Sequence, residues 1–105
     1  HICGNTAGLL PLLGEVKADI TDLDWMADVG LARQQVGEGR LLSGNIDPVR
    51  VLLDGTPAEV TAGLARCLAG AGGKFYAVNA GCEVPRRTPA ANLRAMRDFA
   101  RGHRE

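Results

Sequence analysis

His1 and Cys3 open the chain, and Cys82 stands far downstream in the pair Gly81-Cys82. In an extended segment, side chains two positions apart point to the same side, so His1 and Cys3 can face one point together. Cys82 follows Lys74-Phe75-Tyr76-Ala77-Val78-Asn79, a run that reads as a strand. If the fold brings those two strand ends together, one imidazole and two thiolates surround a single point. That is a three-ligand zinc site with an open fourth position, the arrangement catalytic zinc uses. Cysteines in an apolar setting otherwise serve as small packing residues. The elements that would carry these three side chains therefore decide the matter.

The chain has 105 residues, enough for one domain spanning 1–105. Twelve basic and twelve acidic residues cancel, so no broad field recruits nucleic acid or an anionic membrane. The one basic cluster, Arg94, Arg97, Arg101, His103 and Arg104, falls on the last predicted helix and tail. A solvated helix end favoured by the macrodipole accounts for it. No apolar run reaches the ~18 residues of a membrane span, and no basic-then-apolar leader opens the chain. The three cysteines are an odd number without a disulfide framework. They point to a reducing compartment, the cytoplasm.

Strand and helix alternate along the chain. Residues 6–17 read as a helix, a poor one by propensity because of Pro11 and Gly14. Residues 18–24 read as a short strand. Met26, Val29, Ala32 or Arg33, and Val36 follow helical spacing up to Gly37. Residues 40–44 are the next strand, followed by a loop through Asn45, Asp47 and Pro48. Thr56-Pro57-Ala58-Glu59 is a capping box with proline at the first helical position. Val60, Leu64, Cys67, Leu68 and Ala71 form that helix's apolar stripe, and Gly72-Gly73 stop it. After the strand at 74–79, Thr88-Pro89 opens a last helix with Leu93, Met96, Phe99 and Ala100 on one face.

With a strand ending at or before His1, this makes four βα units, which implies a parallel sheet with right-handed crossovers. A doubly wound sheet and a (β/α)8 TIM barrel are the two closed solutions. A whole barrel takes ~250 residues, so the chain matches about half of one. No Gly-rich dinucleotide fingerprint or phosphate loop is present. In parallel α/β folds chemistry collects at the carboxyl ends of strands. The polar sets His1 and Cys3, Asp22 and Asp24, Asn45 and Asp47, and Asn79 and Cys82 all fall there.

The blocks His1-Ile2-Cys3-Gly4-Asn5-Thr6, Asp22-Leu23-Asp24-Trp25, Gly44-Asn45-Ile46-Asp47-Pro48-Val49, Gly55-Thr56-Pro57-Ala58-Glu59-Val60, Gly72-Gly73-Lys74-Phe75 and 79–96 resemble the carboxyl-terminal part of the uroporphyrinogen decarboxylase superfamily. They occur in the same order and span essentially the whole chain. The resemblance implies that the chain is about the last half of a (β/α)8 barrel. True uroporphyrinogen decarboxylases of that superfamily use no metal and typically carry histidine where Cys82 stands. The methylcobamide:coenzyme M methyltransferase branch carries His-x-Cys early and Gly-Cys late. His1-Ile2-Cys3 and Gly81-Cys82 resemble that branch at all three positions.

The resemblance implies a zinc-dependent methyltransferase, with His1, Cys3 and Cys82 on the metal. It also implies a methyl-corrinoid such as methylcobalamin as donor, free or on a corrinoid protein, and a small thiol such as coenzyme M as acceptor. The alternatives are a decarboxylase of porphyrin biosynthesis and a non-catalytic half-barrel that needs a partner. Alone, a half-barrel is expected to be inactive, and its open edges invite a homo-oligomer.

Asp24 is the candidate catalytic carboxylate, either in the fourth zinc position or behind the ligands, with helix capping as the plain alternative. Asp22 is inseparable from it by sequence. Asn45 and Asp47 are the candidate substrate contacts, although Asp before Pro also favours a turn. Trp25 lines a cofactor face or packs under the next helix. Cys67 lies on an apolar stripe and reads as a core thiol. Glu83 stands beside Cys82, and Arg86 and Arg87 sit in the loop above, where they meet either anionic substrate groups or solvent.

Overall fold

The structure, a computed structural model, describes residues 1–103. Arg104 of the basic cluster therefore lies outside the described residues. Three short strands run parallel in the order β1-β2-β3, namely β1 (Ile20–Asp22), β2 (Leu41–Ser43) and β3 (Tyr76–Ala77). Ile20, Thr21 and Asp22 face Leu41, Leu42 and Ser43, while Leu42 and Ser43 face Tyr76 and Ala77. Helices α1 (Leu10–Glu15), α2 (Val29–Val36), α3 (Pro57–Gly70) and α4 (Ala90–Gly102) lie between and after the strands and pack successively on one another. Leu23, Leu42, Leu52, Val60 and Leu64, each 1 % exposed or less, form the centre between sheet and helices.

Several elements differ from the sequence reading. Residues 1–6 pair with no strand, so the described residues hold three paired strands where four units were expected. The predicted helix over 6–17 shortens to a 3₁₀ turn, Ala7–Leu9, leading into α1. Pro11 then falls in the first turn of α1, where its missing N–H costs no hydrogen bond. The predicted loop at 45–48 turns instead into a π-type helical segment, Pro48–Leu53. Asp47 caps it through Oδ1, which accepts the Val49 and Arg50 N–H groups at 2.9 and 3.0 Å. Asp before Pro was thus a cap followed by a first helical residue.

In the first turn of α4 the inward position is Asn92, one residue before the predicted Leu93. Asn92 is 1 % exposed and Leu93 is 42 % exposed. The Asn92 amide donates to the Leu52 and Gly55 carbonyls, both at 2.8 Å, which turns Asn92 inward. Phe99, two turns on, is buried as expected, with Met96 packed at the core's edge.

Helix α3 follows its sequence signals closely. The Glu59 N–H donates to Thr56 Oγ1 at 3.3 Å, and Glu59 Oε2 accepts the Thr56 N–H at 2.7 Å. At the other end Gly72 and Gly73 take φ of 84° and 75°. Their N–H groups donate back to the Ala69 and Leu68 carbonyls, the double closure that a left-handed pair permits.

Arg33 is buried with no acidic partner among the described residues, and five main-chain carbonyls satisfy its guanidinium. It donates to Ala71, Gly37, Arg40, Lys74 and Phe75 at 2.9, 2.8, 2.6, 3.2 and 2.9 Å. These acceptors flank the amino ends of β2 and β3. The guanidinium therefore fastens the end of the sheet opposite to where the strands deliver polar side chains.

Hydrogen bonds from the Thr56 backbone and hydroxyl hold the Glu59 carboxyl below its ordinary range. A carboxyl whose folded pKa is depressed contributes stability above its unfolded value, and this is lost as pH falls through the folded value. Glu59→Ala should therefore lower the melting temperature at pH 7. The deficit against the native chain should shrink toward nothing in melts taken progressively below about pH 4.

Candidate metal centre

Beyond the paired strands, the chain ends stay in register through main-chain hydrogen bonds. The Leu23 N–H donates to the Ser43 carbonyl at 2.9 Å and the Trp25 N–H to the Gly81 carbonyl at 3.0 Å. The Gly81 N–H donates to the Ile46 carbonyl at 2.8 Å, next to a parallel bridge between Ile46 and Ala80. At Gly81 a β-carbon would lie 2.4 Å from the N, Cα and Cβ of Trp25, a separation no side chain tolerates. Glycine is what lets the two strand ends meet, and Cys82 follows directly.

Across this junction Cys82 reaches the amino-terminal segment. The ligating atoms of His1, Cys3 and Cys82 all lie within 4.8 Å of one another. The two sulfurs are 3.6 Å apart although the residues are 79 positions apart, and both thiols are free. Two sulfurs bound tetrahedrally at about 2.3 Å from zinc would be separated by ~3.8 Å. The spacing therefore suits a shared ion. The Cys82 sulfur, by hydrogen bond and then by charge, pushes the Cys3 thiol above its ordinary pKa. Two thiols this close resist joint ionisation, and a dication between them reverses that preference.

The His1 imidazole is committed on one side. Nδ1 lies 2.7 Å from Asp22 Oδ2, leaving Nε2 as the free nitrogen. Asp22 Oδ1 accepts from the Asn79 amide at 3.1 Å, and the same amide group donates to Ser43 Oγ at 3.2 Å. Asn79 Oδ1 accepts the Ala80 N–H at 2.9 Å. Asp24, 2 % exposed, turns both oxygens to main chain. Oδ2 accepts the Gly4 N–H at 2.8 Å and Oδ1 the Met26 N–H at 2.9 Å. It thereby ties the loop just after Cys3 to the end of β1. The two aspartates, alike in sequence, thus have different partners.

Two soft sulfurs and one imidazole nitrogen fit a zinc ion, with the fourth position left open. Among the described residues no further His, Cys or carboxylate joins the three.

Asn45 and Asp47 are not brought to this cluster. The buried Asn45 amide donates to the Asp24 and Ala27 carbonyls at 3.0 and 2.5 Å, and its oxygen accepts from the buried Cys67 thiol at 3.4 Å. Asp47 caps the segment after it. Both border a separate cavity of about 270 Å³ shared with Trp25, Arg66 and Cys67. Glu83, Arg86 and Arg87 are exposed. Asn79 was placed with Cys82 at a strand end but given no role, and Ser43 was not singled out; its only sequence signal was a polar residue near the end of an apolar strand run.

A parallel sheet alternating with helices is the architecture of part of a (β/α)8 barrel, and relatives place it. The chain superposes on a methyltransferase from Methanosarcina mazei with a TM-score of 0.84 at 22 % identity, covering 97 % of this chain and 30 % of that one. The family described as uroporphyrinogen decarboxylase matches residues 1–103, and the chain belongs to that family. A methylcobamide:CoM methyltransferase, MtbA, of Methanosarcina mazei is 36 % identical over 99 % of this chain and 30 % of its own length. The uroporphyrinogen decarboxylase of Streptomyces avermitilis is 38 % identical over 94 % of the chain and 28 % of its own length. The chain thus spans about 30 % of the length of the curated relatives it matches. Among the described residues no helix is long and apolar enough to cross a membrane.

Gly81→Ala should push the β3 end away from Trp25 and carry Cys82 out of reach of Cys3. Zinc retention after reduced purification should fall by about tenfold or more, whereas Gly102→Ala, which meets no atom within 4 Å, should leave it unchanged.

Proposed function

We propose that this chain carries the zinc-binding part of a methyltransferase that moves a methyl group from a methyl-corrinoid to a small thiol such as coenzyme M. The observation that carries the reading is the meeting of His1, Cys3 and Cys82 within 4.8 Å. Likeness over the whole chain to a methylcobamide:CoM methyltransferase supports it.

His1, Cys3 and Cys82 would hold the metal. Bound there, zinc would supply the Lewis acidity that lets a thiol ionise at neutral pH, where a free thiol of pKa about 8.5 stays mostly protonated. In the overall exchange a carbon–sulfur bond forms, the cobalt–carbon bond breaks with its electron pair left on cobalt, and the thiol proton passes to solvent. Asp24 acts from behind, fixing the Cys3 loop through the Gly4 N–H. Asn45 supports Asp24 in turn by holding its carbonyl, and Asp47 shapes the segment that follows β2. His1 and Cys3 are exposed, which leaves room for substrate on their solvent side. A corrinoid protein would approach that face. The free edges of β1 and β3 are where the rest of a barrel or a second copy would pair. The unoxidised thiols belong in a reducing compartment such as the cytoplasm.

A decarboxylase acting on a porphyrinogen is the second reading, supported by relatives of that name at up to 40 % identity.

Zinc measured after reduced purification should be about one per chain in the native protein and well below that in Cys82→Ala. A folded native sample without zinc would overturn the methyltransferase reading. Decarboxylation of uroporphyrinogen should be absent. Its presence at equal rate in native and Cys82→Ala protein would install the second reading.

A further inference from the structure

His1 is an exposed residue on a segment that pairs with no strand, yet its ring makes a directed contact. Among the described residues its imidazole is tethered at Nδ1 alone, by Asp22 at 2.7 Å. Asp22 is held in turn. Its second oxygen takes the Asn79 amide at 3.1 Å, and that amide leans on Ser43 Oγ at 3.2 Å. The Asn79 oxygen is pinned by the Ala80 N–H at 2.9 Å, which fixes which end of the amide faces Asp22. The chain of contacts starts on β2, crosses to the end of β3, returns to the end of β1, and stops on the imidazole.

We propose that Asp22, braced by Asn79 and Ser43, is a positioning residue that holds His1 in the Nδ1–H form with Nε2 turned toward Cys3 and Cys82. The proposal deepens the metal-centre reading and rests on it for the metal, but not for the ring. A neutral imidazole carries one proton, and whichever nitrogen donates leaves the other as the lone pair. A carboxylate facing Nδ1 keeps the proton there and makes Nε2 the ligand. A carboxylate free to rotate would fix neither the proton nor the ring. Asn79 removes that freedom because a carboxylate oxygen committed to an amide from another strand cannot swing. Asp22 and Asp24 therefore divide the work, one orienting a ligand side chain and the other anchoring ligand backbone.

The test has two readouts. Nitrogen-15 shifts of His1 in the metal-free, reduced protein report the tautomer without any metal, and His103→Gln removes the other imidazole from the spectrum. The native protein should show the Nδ1–H form. The isosteric Asp22→Asn, and Asn79→Ala, should move it toward the Nε2–H form, with circular dichroism unchanged. Zinc affinity by chelator competition should fall about tenfold to a hundredfold in Asp22→Asn and about tenfold in Asn79→Ala. In a His1→Ala background the same substitutions should change zinc affinity by about twofold or less, because their effect runs through the missing ring.

An Nε2–H native ring, native-like zinc affinity in Asp22→Asn, or an equal loss in the His1→Ala background would each overturn the proposal. A folded native protein that binds no zinc would overturn the metal-centre reading instead. The tautomer alone would then judge the relay, Nδ1–H upholding it and Nε2–H overturning it.

Discussion

Where Gly81 passes Trp25, the main chains come so near that a β-carbon would sit 2.4 Å from three Trp25 atoms. That contact is locked from both sides, because Gly81 accepts from Trp25 and donates to Ile46. Three segments following three different strands are thereby fixed within one hydrogen bond of each other. The placement of Cys82 opposite Cys3, and of Asn79 opposite Asp22, is inherited from this junction. Parallel strands ordinarily diverge into their loops once pairing stops. Here main-chain pairing is carried three or four residues further, to Trp25, Ile46 and Gly81, and Asp24, Asn79 and Cys82 lie in or beside that extension.

The polar groups around that junction are arranged so that none competes for the thiols. Asp24 spends both oxygens on main-chain N–H groups, and Asp22 divides its own between an imidazole and an amide. The Asp24 charge acts on the Cys3 thiol beside Cys82, and negative charge there favours a cation between the sulfurs. The amino-terminal segment, which pairs with no strand, is held through side chains instead, by His1 on Asp22 and Gly4 on Asp24. Its candidate ligands, His1 and Cys3, are delivered by hydrogen bonds to aspartates and not by sheet pairing.

Much of this was legible in advance. Alternation of elements, the Thr56 capping box, the Gly72-Gly73 stop and the gathering of polar residues at strand ends follow from local chemistry. The convergence of His1, Cys3 and Cys82 was expected from the family resemblance, because spacing alone left it open and residues 1–6 pair with no strand. What escaped depended on partners distant in sequence. Asn92 turns inward because carbonyls of Leu52 and Gly55 await it, so periodicity pointed to Leu93. Asp22 and Asp24 lie on the same side of one strand end, and only the residues opposite, Asn79 for one and Gly4 for the other, separate their roles. The helical segment at Pro48–Leu53 was too short for a period to register, although its Asp-Pro start was present. Asn45 and Asp47, polar and well placed by pattern, are engaged by the architecture around them.

The guanidinium of Arg33 sits at the other extremity of the sheet, surrounded wholly by carbonyl dipoles. Peptide carbonyls do not titrate, and an arginine keeps its proton across all ordinary pH. That fastening is therefore indifferent to acidity, and among the described residues it has no counter-ion for salt to screen. The other end, by contrast, gathers imidazole, thiol and carboxylate side chains, types that can exchange a proton or a ligand. The molecule thus keeps its permanent charge where it needs rigidity and its variable charge where it needs chemistry. The reactive end can change ionisation without loosening what holds β2 and β3 together.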